Sequence, residues 1–325
     1  MSESHTLTCR LCGGRNRIPV TRALQDLSKP TCGRCSGRLL RVAGEPLTDL
    51  SNDDLAHPWD RDTLAALRAM PKVDELLSRV MARTVDKVAH FRYLGGAVEV
   101  GSDQLPTLWN LHRAAADRLA MPATPLFVVQ SPQINAFAVG AGEPFVVLTS
   151  ATVDLLDDRG VQAVLGHELT HVRLGHALYR TLARLMMSGG LRLLDRFFGI
   201  GALLVKPVEV ALLRWYQMSE LSADRGGLLT IADLDAHVRV EMTLAGGPSR
   251  LLTELSSEAF LAQADRAEAL RSGDLMLQVT DLLDDSERSH PLPVWRAHHV
   301  AKWAQTEGFF RILAGQERRL LEVDP

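Results

Sequence analysis

The sequence predicts an α+β chain, a mostly helical domain with a small sheet, preceded by a short module organised by four cysteines. Three observations lead there. All four cysteines fall within the first 35 residues. Three β-rich runs, PLFVVQ (125–130), NAFAVG (135–140) and FVVLTS (145–150), follow one another across turn residues. Beyond residue 157 the pattern is mostly helical, with glycine-rich breaks at 189–190, 199–201 and 246–247. With 325 residues, 46% apolar and 23% charged, the chain is long enough for one large or two medium domains with real cores.

Taken in order, Cys9, Cys12, Cys32 and Cys35 form C-x2-C, a 19-residue spacer and a second C-x2-C. Each CxxC turn offers two thiolates to one tetrahedral metal, and two such turns close its shell. So short a segment cannot bury enough apolar surface to fold alone, so zinc would supply the folding energy. Residues 1–42 are expected to be a zinc ribbon. Residues 43–60, with Gly, polar clusters and two prolines, read as a linker. The second domain takes 61–325, with a helical C-terminal part. In it, Val73, Leu76, Leu77, Val80, Met81, Val85 and Val88 recur at helical spacing until Gly95-Gly96. AVEV (97–100) suggests a strand, and Leu105 to Ala120 another amphipathic helix. Thr149 or Ser150 can cap the next helix. A long helix then starts near Asp158 and carries DRGVQAVLGHELTHVRLGHALYRTLARL. His5 and His57 read as surface residues.

A net charge of −3 makes the whole molecule no electrostatic trap for nucleic acid or acidic membranes. Residues 1–45 are the exception, with eight Lys/Arg against three Asp/Glu. Four thiolates on one zinc would cancel part of that excess. A docking knob, recruiting a protein partner or substrate, is the simpler expectation. MSESHTLTCRLC has no apolar h-region, and no run reaches the roughly 18 apolar residues of a membrane span. The expected compartment is therefore cytoplasmic and reducing, where cysteines hold metal more often than disulfides. Residues 182–215 are apolar but interrupted by charges that include Arg192, Asp195, Arg196, Lys206 and Glu209. They could cover an active site, form an oligomer contact, or lie on the inner face of the membrane as a peripheral anchor.

The chemistry concentrates in His167-Glu168-Leu169-Thr170-His171, an HExxH inside a helical pattern. Residues i and i+4 share a helix face, so both imidazoles can reach one Zn2+. Glu168 sits about 100° around the helix, where it can take the proton of a zinc-activated water without ligating. Val161, Val164, Leu165, Leu169 and Val172 form an apolar stripe that would anchor this helix. A catalytic zinc takes three protein ligands. His176, five residues beyond His171, would be rotated away from the zinc face of a continuing helix, which favours a structural or surface role. Glu220 is the better third ligand. Asp224 shares its face and can hold a ligating His by the other ring nitrogen.

HELTH followed by Glu220-x-x-Ala223-Asp224 resembles the HtpX-type and CAAX-prenyl-protease-type zinc metallopeptidases, a branch of the gluzincins. Asn135-Ala136-Phe137 is similar to that family's edge-strand motif. FVVLTSATVDLLDDRGVQAVLGHELTHVRLGH resembles the lead into its active-site helix, and Ser289-His290-Pro291 with Arg296 its downstream element. The resemblance spans roughly residues 70–300. It implies zinc on His167, His171 and Glu220, with Glu168 as general base and acid and Asp224 orienting a ligand. It implies further that Asn135 and Ala136 hold an extended polypeptide as an added strand, and that His290 and Arg296 stabilise the oxyanion. Well-known members are integral membrane proteins, which this sequence does not resemble in its apolar runs. Separately, CRLCGGRNRIPVTRA with CGRCSGRLL resembles the zinc ribbon that precedes some bacterial thioredoxins, without the redox motif that follows there.

Three functions compete. One is a metalloendopeptidase for extended or unfolded polypeptides, with one catalytic and one structural zinc. The second is a silent or latent peptidase-fold adaptor that binds partners through its ribbon; an intact Glu168 argues against it. The third is a zinc-ribbon nucleic-acid protein, disfavoured by near-neutral charge and the lack of interleaved aromatic and basic residues.

Overall fold

The computed structural model describes residues 3–70, 84–140, 142–187, 206–247, 249–273 and 292–316. Residues 73–83 of the first expected helix, 188–205 of the apolar stretch, and Ser289-His290-Pro291 lie outside them.

The N-terminal module pairs β1 (Ser4–Thr8) antiparallel with β2 (Arg15–Pro19), and α1 (Val20–Gln25) follows. Each cysteine pair folds into the same tight loop. Cys9 N donates to Gly14 O and Gly13 N to Cys9 O; Cys32 N donates to Gly37 O and Ser36 N to Cys32 O. The module is docked rather than tethered. His5 Nε2 lies 2.6 Å from Gln305 O, and Arg41 N donates to Leu313 O at 2.7 Å. Leu7, Ile18, Leu39 and Leu40 share one apolar core with Phe309, Phe310, Leu165 and Leu169. His5 is therefore buried, and His57 is half-buried, not on the surface.

Residues 43–60 do not behave as a loose linker. Leu47, Leu50 and Leu55 are buried, and α2 (Asn52–Leu55) is capped reciprocally by Ser51 and Asp54. The helix α3 (Pro58–Arg68) starts inside this stretch, with Pro at its first position, where no amide donor is missed. Its Asp60 is buried.

Next come α4 (Thr84–Gly96), β3 (Val98–Glu99), α5 (Pro106–Arg118), β4 (Leu126–Val129), β5 (Ala136–Val139), β6 (Phe145–Thr149) and α6 (Ser150–Leu155). The sheet order is β3-β4-β6-β5, with only β4 and β6 parallel, so β5 is an edge strand. All of β6 is buried, as a strand covered on both faces must be.

The long helix expected from Asp158 is two helices, α7 (Asp158–Arg173) and α8 (Ala177–Met187). Gly175 takes a left-handed φ of 73°, Gly175 N bonds Val172 O, and His176 N bonds His171 O. This is a Schellman close, which a glycine adopts without steric cost. Among the described residues there follow α9 (Lys206–Ile231), α10 (Leu234–Leu244), a 3-10 helix (Ser249–Glu254), α11 (Ser257–Gly273), α12 (Pro293–Ala304) and α13 (Glu307–Ala314). No helix among the described residues is long and apolar enough to cross a membrane.

The crossing of α7 and α9 positions the site. A Cβ at Gly226 would fall 1.7 Å from Thr170 Oγ1, and one at Gly166 would fall 2.2 Å from Thr230 Oγ1. Each threonine hydroxyl donates to the carbonyl of the glycine four residues earlier on its own helix. Two Gly-x-x-x-Thr faces thus interlock reciprocally and bring the two backbones unusually close.

Candidate metal centre

That close crossing carries Glu220 of α9 to the histidines of α7. Glu220 Oε2 lies 3.4 Å from His167 Nε2, and Oε1 lies 3.4 Å from His171 Nε2. All three side chains are buried, and their ligand atoms lie within 4.8 Å of one another. Both imidazoles are held from behind. His167 Nδ1 is 3.0 Å from Asp224 Oδ1, and His171 Nδ1 is 3.1 Å from His176 Nδ1. With Nδ1 fixed in this way, Nε2 faces the shared centre. The buried His171 Nε2 has no hydrogen-bond partner among the described residues.

Charge fits the same reading. Burial, with Arg180 nearby, pushes His171 well below its usual pKa, so it is a neutral donor. Burial also works against a charged His167, but the Asp224 and Glu220 carboxylates outweigh it and hold it up at about 9. The Asp224 and Glu220 carboxylates thus favour positive charge at His167. Two imidazoles and a carboxylate are a donor set that suits zinc.

Glu168 is buried beside this group. Its Oε2 accepts from Ala138 N at 2.8 Å, and its Oε1 lies 3.9 Å from His167 Nε2. The HExxH glutamate thus contacts the edge strand. Successive residues of an antiparallel strand alternate their main-chain groups toward and away from the neighbour. Ala136 and Ala138 point theirs away from β6. The main chain of Asn135 is engaged within the fold: its N donates to Thr149 Oγ1 and Thr152 Oγ1, and its O accepts from both residues. Its main chain is already committed, so the available edge begins at Ala136.

Arg296 is set among carboxylates at this site. Its guanidinium bonds both Asp224 oxygens and lies 3.0 Å from Glu241 Oε1. Its Nη2 also lies 3.4 Å from His167 Nδ1 and its Nη1 3.7 Å from Glu220 Oε2, so the arginine braces Asp224 and borders the ligands themselves. Its charge holds the Asp224 carboxyl below the usual carboxylate range despite burial. His290 lies outside the described residues. The four cysteine sulfurs also lie within 4.8 Å of one another, all as free thiols, in an array that suits one tetrahedral metal.

Several residues escaped the sequence reading. His176 does not point away, because α7 ends at Arg173 and the left-handed Gly175 turns the chain so that His176 N bonds His171 O. Its Nε2 lies 3.2 Å from Asp60 Oδ2. Asp60 is fixed in turn by Trp215 Nε1 and Ser222 Oγ. Arg180, fully buried, bonds Glu220 Oε1 and the Tyr216 hydroxyl. The Leu-Gly-His sequence after HELTHVR was the available signal, since a glycine there ends a helix.

The sequence model of peptidase family M48 matches residues 106–304. The chain is 32% identical over 307 residues to the plastoglobule-localized metallopeptidase 48 of Arabidopsis thaliana chloroplasts, covering 94% of this chain and 83% of that one. It is 32% identical over 90 residues to an HtpX protease homologue of Thermodesulfovibrio yellowstonii, covering 27% of this chain and 32% of the relative. For the Aquifex aeolicus homologue the figures are 33% over 100 residues, 30% and 32%. No solved structure matches.

Proposed function

The chain belongs to peptidase family M48 and is a metallopeptidase; from that premise we propose that it is a zinc metalloendopeptidase acting on extended or unfolded polypeptide. The observation that carries this is the convergence of His167 Nε2 and His171 Nε2 on the Glu220 carboxylate, 3.4 Å from each, with Glu168 alongside.

In this reading His167, His171 and Glu220 hold one zinc, and Cys9, Cys12, Cys32 and Cys35 hold a second, structural one. Zinc held by His167, His171 and Glu220 would supply Lewis acidity, lowering the pKa of water and polarising the scissile carbonyl. Ala138 N fixes Glu168 Oε2, so Oε1 takes the water's proton and then passes it to the leaving amine. Ala136 offers its main-chain groups at the sheet edge to an extended substrate, a mode that reads backbone rather than side chain. Arg296 and Asp224 position His167; Asp60 and His176 position His171. Arg296 is accordingly a positioning residue, and His290 remains the proposed oxyanion donor.

The relative named for plastoglobules favours work near a lipid surface, and residues 182–215 are the segment proposed to make that contact or to cover the site. The substrate class is tested by comparing an unstructured protein such as casein with a tightly folded domain rich in the same bonds. Cleavage of the first alone supports the reading; equal cleavage of both opposes it.

A further inference from the structure

Beside Glu168 lies a cavity of about 50 Å³, bordered also by His167 and Arg296. Ala136 and Glu168 line one part of it, Val164 and Val240 supply apolar walls, and His237 and Glu241 of α10 supply polar ones. We propose that this cavity receives the substrate side chain next to the scissile bond and selects a neutral hydrogen-bonding one, of the Gln, Asn or Thr kind, through Glu241 and His237. The inference rests on the peptidase reading and deepens it.

The cavity borders both the proposed base and the edge strand, so a chain lying along β5 with its carbonyl near Glu168 has a side chain within reach of it. At roughly 10–15 Å³ per water-sized group, a space of about 50 Å³ suits a short side chain.

The polar walls decide the chemistry. His237 is 2% exposed, and neither ring nitrogen has a hydrogen-bond partner among the described residues. Burial pushes it down to about 4, so it is neutral, with one nitrogen donating and the other accepting. Glu241 is also 2% exposed; its Oε1 faces Arg296, while its Oε2 has no hydrogen-bond partner among the described residues. Burial pushes its carboxyl up to about 8, so near neutrality it is an acid with a proton to donate. Buried polar atoms left without partners are costly, so something must satisfy these.

A charged visitor does not fit. Asp224, His237 and Glu241 come within 4.8 Å of one another, as metal ligands would, but the Arg296 guanidinium already binds Asp224 and Glu241 and repels a cation. An anion would meet Arg296 in the lining, but that guanidinium is already paired with the Asp224 and Glu241 carboxyls. A side-chain amide or hydroxyl both donates and accepts, and matches the set without adding charge. The alternative occupant is a cluster of ordered waters, which would keep the substrate side chain out.

The test uses the full, zinc-loaded chain and a mixed peptide library, with cleavage products read by mass spectrometry. The native enzyme is expected to enrich Gln, Asn or Thr at one position flanking the cut, by roughly tenfold or more over Met and Leu. The double variant His237→Leu, Glu241→Leu is expected to shift that position toward Met and Leu. Glu241→Gln, which keeps a neutral hydrogen-bonding group and guards against a folding failure of the double variant, should retain the preference. Binding of Gln- and Met-containing peptides to Glu168→Ala, followed by fluorescence polarisation, gives a readout apart from turnover. Cleavage with no enrichment, or with a profile unchanged in the double variant, overturns the pocket and leaves the peptidase reading standing. Selective binding without any hydrolysis supports the pocket and sinks the peptidase reading. Neither cleavage nor selective binding overturns both.

Discussion

His171 Nδ1 lies 3.1 Å from His176 Nδ1, so one proposed zinc ligand is oriented by a second imidazole rather than directly by a carboxylate. The carboxylate stands one step further back, with Asp60 Oδ2 3.2 Å from His176 Nε2. The chain of bonds assigns tautomers: His176 Nε2–H donates to Asp60, and His176 Nδ1 accepts from His171 Nδ1–H. His171 Nε2 is then a bare lone pair.

His176→Ala should therefore weaken zinc binding at the histidine site by roughly 10- to 100-fold without removing a ligand. Asp60→Asn should act in the same direction through the same histidine. Competition with a chromogenic chelator measures this. Unchanged affinity in both variants would refute the relay.

The interlocked glycines predict a fold defect with a catalytic consequence. Gly226→Ala places a methyl on Thr170, so α7 and α9 must separate, at a cost of about 1–3 kcal/mol. Glu220 retreats from the histidines with them. Lower denaturant midpoints together with lost zinc are expected. Thr170→Ala in the same chain should restore part of both, because it removes the hydroxyl nearest the new methyl.

Glu241 predicts a pH trend. Its pKa is about 8 in the folded chain against an ordinary 4.5, raised chiefly by burial. Between those values the folded state binds more protons than the unfolded, so stability falls as pH rises from about 4.5 through 8. Glu241→Gln mimics the protonated form. Its melting temperature should match the native chain near pH 5 and exceed it at pH 8.5. A gap of the opposite sign would show that Glu241 is ionised throughout.

The ribbon predicts coupling across the chain. Cys12→Ser should release one zinc and leave the other in place. Because Leu7, Ile18 and Leu40 share a core with Phe309 and Phe310, the substitution should also lower the stability of the C-terminal helices. Hydrogen exchange over 293–314 reads this; protection identical to the native chain would mean the module is docked without energetic consequence.

Much of this site could be read from the sequence, for a definite reason. The cysteine knuckles and the HExxH are local, and helix geometry alone sets the mutual placement of His167, Glu168 and His171. Glu220 and Asp224 could be paired by their i, i+4 spacing, but what brings them to α7 is the fit of Gly226 against Thr170, a contact between segments 56 residues apart. Asp60 was hidden because Pro, Gly and polar residues in 43–60 mark a loop by composition, while the buried leucines and caps that fold it depend on tertiary partners. His176 was misplaced because helical periodicity was carried through Gly175. Arg296 stands out in the sequence after Ser289-His290-Pro291, yet its partners Asp224 and Glu241 lie on two other helices, a meeting that spacing does not reveal.

The most direct test of the central claim is zinc content measured with casein hydrolysis, on the native chain and on Glu168→Ala. The account predicts two zincs in both proteins, and chelator-sensitive hydrolysis in the native chain alone. A single zinc, lost with the cysteines and untouched by substitution of His167 or Glu220, would contradict it.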